Sequence, residues 1–226
     1  MRFIFPVNEV KVGSEIIQMR NYDIFNFSEF FFEKERIDIP DSIRKSVKKR
    51  QAEFLAGRVV ARDALQSIGF KKTINIPIGK SREPLWPLGV VGSISHTDST
   101  AIALVKSKSP SVLVGLDIEN FVTKSDCNDL EEIVINQVEH DRLKHLNISR
   151  SYIITLIFSA KETLFKAIYP EVRQYLNFLD SEVVFLCFET NVIRLRMIKN
   201  IVNVNFRNHY DINFRVINNS VITVLT

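Results

Sequence analysis

The sequence predicts an α+β protein made of two subdomains. Three observations carry this expectation. Apolar residues recur at helical spacing in both halves, over about 41–68 and about 149–169. Short alternating strands accompany the helices in each half. The whole pattern begins again after a short polar run, KSKSP at 106–110, which divides the chain into 1–109 and 110–226.

The elements follow in order. The first forty residues are Phe-rich and irregular, with Phe30, Phe31 and Phe32 in a row. Pro40, Asp41 and Ser42 mark the start of the first helix, and Gly69 stands at its stop. A short apolar run follows at 73–78, then a loop rich in Gly, Pro and charge at 79–89, then two strands at 91–97 and 100–105 that form an antiparallel pair. The second half opens on a strand at 111–119 and continues with helices over about 129–146 and about 149–169. Strands at 183–188, 192–198, 210–216 and 221–225 close the chain, the last after a turn at Asn218 and Asn219.

Composition limits the function. With 226 residues, 46% hydrophobic and 25% charged, the chain can bury a substantial core, which sets aside disordered and collagen-like classes. A net charge of +4 and a pI near 9.0 favour acidic partners without choosing among nucleic acid, phosphorylated ligands and acidic proteins. Cys127 and Cys187 are far apart and sit in no metal-binding pattern, so reduced thiols and a cytoplasmic setting are expected. The run MRFIFPVNEV at 1–10, with a single Arg and an apolar stretch broken by Pro6 and Asn8, is not expected to act as a secretory leader, and no stretch approaches the roughly 20 apolar residues needed to span a bilayer, so a soluble protein is expected.

Several charges fall on unexpected faces. On a wheel of about 100° per residue, Ile43, Val47, Phe54, Ala61 and Leu65 share an arc of roughly 40°, with Arg50 and Arg58 just to either side. Such arginines either run their stems along the apolar edge, pair with a structural carboxylate, or aim a guanidinium at an anion. In the later helix, Ile154, Ile157, Phe158, Leu164, Phe165 and Ile168 define the apolar arc, and Lys161 lies near its middle, where an unpaired ammonium would be costly. Glu162 and Lys166 are four residues apart on the border, a spacing that a surface ion pair explains.

The strand at 111–119 carries the sharpest feature. Alternation puts Leu113, Gly115, Asp117 and Glu119 on one face, with the two carboxylates about 7 Å apart. Like charges at that distance call for a cation or a proton between them, or for a solvated strand end. An oxygen-only pair suits Mg²⁺ better than Zn²⁺. Upstream, the run GSISHT at 92–97 offers small residues together with Ser95, His96 and Thr97 as donors to phosphate oxygens.

These segments, in this order and at about this spacing, resemble the 4′-phosphopantetheinyl transferases of the Sfp type, in the branch of the enterobactin synthetase component D proteins. The resemblance rests on KRQAEFLAGR at 49–58, EPLWPLGVVGSISHT at 83–97, VGLDIE at 114–119 and FSAKETLFKA at 158–167, and covers roughly residues 40–170. It implies a pseudo-dimer of two similar α+β subdomains with coenzyme A between them. The implied reaction is Mg²⁺-dependent transfer of the phosphopantetheine arm of coenzyme A to a serine of an acyl or peptidyl carrier protein, releasing adenosine 3′,5′-bisphosphate, in secondary metabolism such as siderophore synthesis.

By the same resemblance, Asp117, Glu119 and Glu162 are metal ligands, and Lys161 and Lys166 contact phosphates. Arg50, Arg58 and His96 grip the 3′-phosphate and its neighbours, with Ser95 hydrogen bonding beside them and Pro84 near the adenine. Phosphoryl transfer needs charge neutralisation and an aligned nucleophile, so Lys166 serves catalysis, and Glu119 or Glu162 is the base for the carrier serine. A basic surface suits steering of an acidic carrier, and a monomer is expected. Phe158 stands where some members carry Trp, and Glu83 precedes Pro84 where some relatives have Lys. The competing reading from composition is a noncatalytic basic module for nucleic acid or an acidic protein, but the basic residues are dispersed and no nucleic-acid motif is present.

Overall fold

A computed structural model describes residues 2–70, 74–200 and 207–226. The chain divides into two compact units, Met1–Val114 and Gly115–Thr226, a few residues beyond the expected 109/110 boundary. Each unit sets one long helix across an antiparallel sheet, the α+β architecture that the sequence predicts.

The first unit opens with a hairpin that the sequence reading did not foresee. Strands β1 (Asn8–Val12) and β2 (Glu15–Asn21) pair through a tight turn in which Gly13 has φ 57, a left-handed conformation that glycine takes at no steric cost. The irregular composition of this segment hides the strands, because β2 buries the neighbours Ile17 and Gln18 instead of alternating. The phenylalanines that follow have a definite place. Phe3, Phe27 and Phe32 join Phe54 in a chain of ring contacts at 5.1–6.2 Å that closes one side of the core. Phe32 belongs to a short helix, α1 (Phe30–Glu35).

The helix expected over 41–68 is two helices, α2 (Asp41–Arg44) and α3 (Lys48–Ser67). Residues 45–47 break the helical phase, and Val47 precedes α3 in an extended conformation and is 73% exposed, although the wheel puts it on the apolar arc. From Gln51 onward α3 is buried along its length against β2, β3 (Val90–His96) and β4 (Thr100–Ser107). The sheet order is β1-β2-β4-β3. The apolar run before β3 is not a regular strand: Ile78 makes a single bridge to Pro84, and Thr73 lies outside the described residues.

The second unit begins with β5 (Gly115–Asn120), shorter than expected because residues 111–114 precede the ladder. The helix expected over 129–146 is again broken, into α4 (Cys127–Val134) and α5 (Gln137–Leu143). Asn136 causes the break: its side chain and that of Glu139 cap each other's backbone N–H groups in a capping box. Helix α6 (Arg150–Val172) lies across β5, β8 (Tyr210–Ile217) and β9 (Ser220–Leu225). With β6 (Ser181–Cys187) and β7 (Val192–Met197), these strands form a sheet of order β5-β9-β8-β7-β6.

One glycine sets how closely helix and sheet approach. A Cβ on Gly115 would lie 2.0 Å from the carbonyl oxygen of Thr163 and 2.9 Å from the Ala167 Cβ, so only glycine fits there. Gly115, Asp117 and Glu119 share a strand face, and the contact of Gly115 with α6 shows that this face meets the helix. No helix among the described residues is long and apolar enough to cross a membrane.

Candidate active site

In the second unit, α6 and β5 bring together Asp117, Glu162 and Lys166. Asp117 is 1% exposed; its Oδ1 accepts from Lys166 Nζ at 2.6 Å and its Oδ2 from Ser159 Oγ at 2.7 Å. Glu162 lies 4.0 Å from the same ammonium. Glu119 completes the group electrostatically: burial first, then the charge of Asp117, push its carboxyl up to about 8, with Lys166 opposing and Glu162 adding to the rise. The Glu162 carboxyl is likewise raised, by burial and by Asp117, against Lys166. Burial would lower Lys166, yet the surrounding carboxylates outweigh it and hold the ammonium above its ordinary value. Three carboxyl groups thus share one ammonium.

That excess of carboxyl groups over cations, presented by oxygen ligands alone, fits a hard divalent cation. Among the described residues no three His, Cys, Asp or Glu side chains form a complete metal cage. Mg²⁺ does not require one, since it commonly takes one or two carboxylates and completes its shell with water and substrate phosphates.

Lys161 departs from its expected role. Its side chain is 1% exposed, and its Nζ donates to the Val134 carbonyl at 2.7 Å and to Glu139 Oε2 at 3.0 Å. Burial lowers its pKa, against the pull of Glu139. Glu139, itself fully buried, also accepts from the backbone N–H of Asn136 at 2.9 Å and of Val183 at 2.7 Å. Lys161 therefore anchors the end of α4 and the start of α5 to α6, and has no free face for a phosphate. The sequence reading missed Glu139, although the N-x-x-E pattern at 136–139 signals a capping box and a lysine on an apolar arc demands a buried acid.

In the first unit, a cavity of about 380 Å³ collects four of the predicted residues, Arg50, Arg58, Pro84 and His96. Arg58 reaches it from α3 with its Nε donating to the Ile76 carbonyl at 2.7 Å and its guanidinium 4.5 Å from the centre of the Phe54 ring. Burial, then the proximity of Arg50, lower Arg58 to about 10. Arg50 Nη1 lies 3.3 Å from His96 Nε2 and 3.5 Å from Glu53. Arg82, which the sequence reading passed over, also lines the cavity, from a loop position with φ 70. Three arginines and a histidine around Glu53 suit a phosphate-bearing ligand.

Ser95 does not join them. Alternation along β3 puts Ile94 and His96 on the cavity side and Ser95 on the opposite face, where it is buried. The expectation that Ser95 hydrogen bonds beside His96 grouped two residues that a strand separates.

Comparison with known proteins accords with this chemistry. Residues 38–106 match the 4′-phosphopantetheinyl transferase N-terminal domain, and residues 113–224 match the 4′-phosphopantetheinyl transferase superfamily. The chain is 38% identical over 157 residues to enterobactin synthase component D of Escherichia coli, an alignment covering 68% of this chain and 72% of that protein. It is 35% identical over 147 residues to the 4′-phosphopantetheinyl transferase Npt of Nocardia iowensis, covering 63% of each chain. To PptT of Mycobacterium tuberculosis it is 30% identical over 145 residues, covering 63% of this chain and 62% of the other. The noncatalytic reading drawn from composition gives way to these matches, and the chain belongs to the 4′-phosphopantetheinyl transferase superfamily as an enzyme of that transferase type.

Proposed function

We propose that this transferase moves the phosphopantetheine arm of coenzyme A to a serine of an acyl or peptidyl carrier protein, releasing adenosine 3′,5′-bisphosphate. The observation that carries the proposal is the grouping of Asp117, Glu119 and Glu162 around Lys166. Asp117 and the two glutamates would hold Mg²⁺, which when bound supplies positive charge to the pyrophosphate oxygens. Lys166 neutralises further charge as the phosphoryl group transfers. Glu119 or Glu162 would accept the serine proton, and burial makes each carboxylate the more basic for that task.

The first unit's cavity supports a grip on the 3′-phosphate by Arg50, Arg58 and His96, with Arg82 added to the set and Pro84 beside the adenine. Lys161 and Ser95 are left out of the contact set for the reasons given by their surroundings. The relatives named for enterobactin synthesis favour a siderophore or related secondary pathway. We expect a reducing, cytoplasmic setting for a chain with only two cysteines far apart in sequence, and we expect a monomer.

The test is incubation with coenzyme A, Mg²⁺ and a panel of apo carrier proteins from peptide-synthesis and polyketide pathways. Mass spectrometry should show at least one carrier gaining the mass of the arm. A panel that stays wholly unmodified would overturn the activity.

A further inference from the structure

The geometry points to a one-way chain of hydroxyl groups, Thr163 to Thr223 to Ser159, that fixes the orientation of Asp117. This inference rests on the metal-binding role proposed above for that carboxylate. Ser159 and Thr163 are four residues apart on α6, hence on one face of the helix. Thr223 lies on β9 directly opposite Asp117 in the strand register. All three hydroxyl residues are fully buried.

Proton counting sets the direction of the chain. Each hydroxyl has one proton to donate, and a carboxylate oxygen only accepts, so Ser159 Oγ gives its proton to Asp117 Oδ2 at 2.7 Å. A proton in the 2.8 Å contact between Ser159 Oγ and Thr223 Oγ1 can then come only from Thr223, whose one proton lies between that oxygen and the backbone carbonyl of the same serine, 3.0 Å away. Thr163 must in turn donate to Thr223, at 2.6 Å to Oγ1 or 3.2 Å to the carbonyl. Successive donors aligned in one sense polarise each other toward the carboxylate.

The consequence concerns which oxygen is available. Ser159 occupies Oδ2 from within the core, while Oδ1 is bonded to Lys166, whose side chain is 27% exposed. The chain therefore reserves Oδ1 for a cation and stops the carboxylate from rotating to offer both oxygens. Hydroxyls merely filling core space would need no such terminus, and apolar residues would fill that space without the cost of desolvating three hydroxyls. Ser159, Thr223 and Thr163 are in this sense positioning residues.

Mn²⁺ uptake in the presence of coenzyme A and without carrier, followed by the electron paramagnetic resonance signal of free Mn²⁺, separates this role from turnover. Ser159→Ala should weaken Mn²⁺ binding by about 10-fold or more. Thr223→Val, which keeps shape and removes the hydroxyl, should weaken it in the same sense, and Thr223→Ser, which restores the hydroxyl, should return it to near the wild-type value. Wild-type affinity in both Ser159→Ala and Thr223→Val would overturn the inference. So would equal losses in Thr223→Val and Thr223→Ser, because packing and not the hydroxyl would then be responsible. A wild-type protein that takes up no Mn²⁺ with coenzyme A would overturn the metal reading itself.

Discussion

The charged groups of the two units are compensated in opposite senses. In the first, Arg50, Arg58, Arg82 and His96 line one cavity with Glu53; in the second, Asp117, Glu119 and Glu162 share Lys166. A third cluster, Lys161 with Glu139, is balanced one to one and buried beyond the reach of solvent. The difference separates roles: a balanced buried pair holds structure, whereas an imbalanced group left near the surface marks a place for a ligand of the missing sign.

Removing charge from the second unit's cluster should have the largest effect on turnover. Asp117→Ala and Glu162→Ala are each expected to cut transfer of the arm by about 10³-fold or more while the circular dichroism spectrum stays native. A near-normal rate in either variant would take that residue out of the metal shell.

The balanced pair should behave in the opposite way. Lys161→Met leaves Glu139 buried and uncompensated, and denaturant unfolding should show a loss of about 3–5 kcal/mol, partly recovered by adding Glu139→Gln. The Michaelis constant for coenzyme A in the folded fraction of Lys161→Met should stay near the wild-type value. A large rise there, with stability unchanged, would return Lys161 to the phosphate site.

Within the first unit's cavity the effect should be smaller and confined to binding. Arg50→Ala is expected to raise the Michaelis constant for coenzyme A by roughly 10- to 100-fold, since a charge-assisted hydrogen bond contributes about 1.5–3 kcal/mol. Coenzyme A lacking its 3′-phosphate should bind the variant and the wild type about equally. If the variant also loses affinity for that analogue, Arg50 reads another part of the ligand.

The smallest effect is a pH slope. Because Glu119 is raised to about 8, metal-free folded protein keeps a proton that the unfolded chain has already released above its ordinary carboxyl range. Stability should therefore fall as pH rises toward about 8, by no more than about 1.4 kcal/mol per pH unit for this one group. Glu119→Gln should flatten the slope in denaturant unfolding between acidic and mildly alkaline pH. An unchanged slope would show that Glu119 carries no such proton.

What could be read from the sequence divides along physical lines. Strand alternation is rigid, so the shared face of Gly115, Asp117 and Glu119 was legible, as was the pairing of the two strands around GSISHT. The same alternation separates Ser95 from His96. Helical phase survives only while the helix does, and the breaks at 45–47 and at Ile135 and Asn136 shifted Val47 to the surface and hid α5. Lys161 was legible as misplaced but not as paired, because Glu139 stands far from it in sequence and meets it only through the fold. The hairpin of β1 and β2 lacked a clean alternation and depends on β4 for its partner.

The most direct test of the central claim is the rate of arm transfer after exhaustive chelation, followed by titration with Mg²⁺. The cluster around Lys166 predicts no transfer in the chelated enzyme and saturable recovery as Mg²⁺ is added. Full transfer with the chelator in excess would contradict a cation site at Asp117, Glu119 and Glu162.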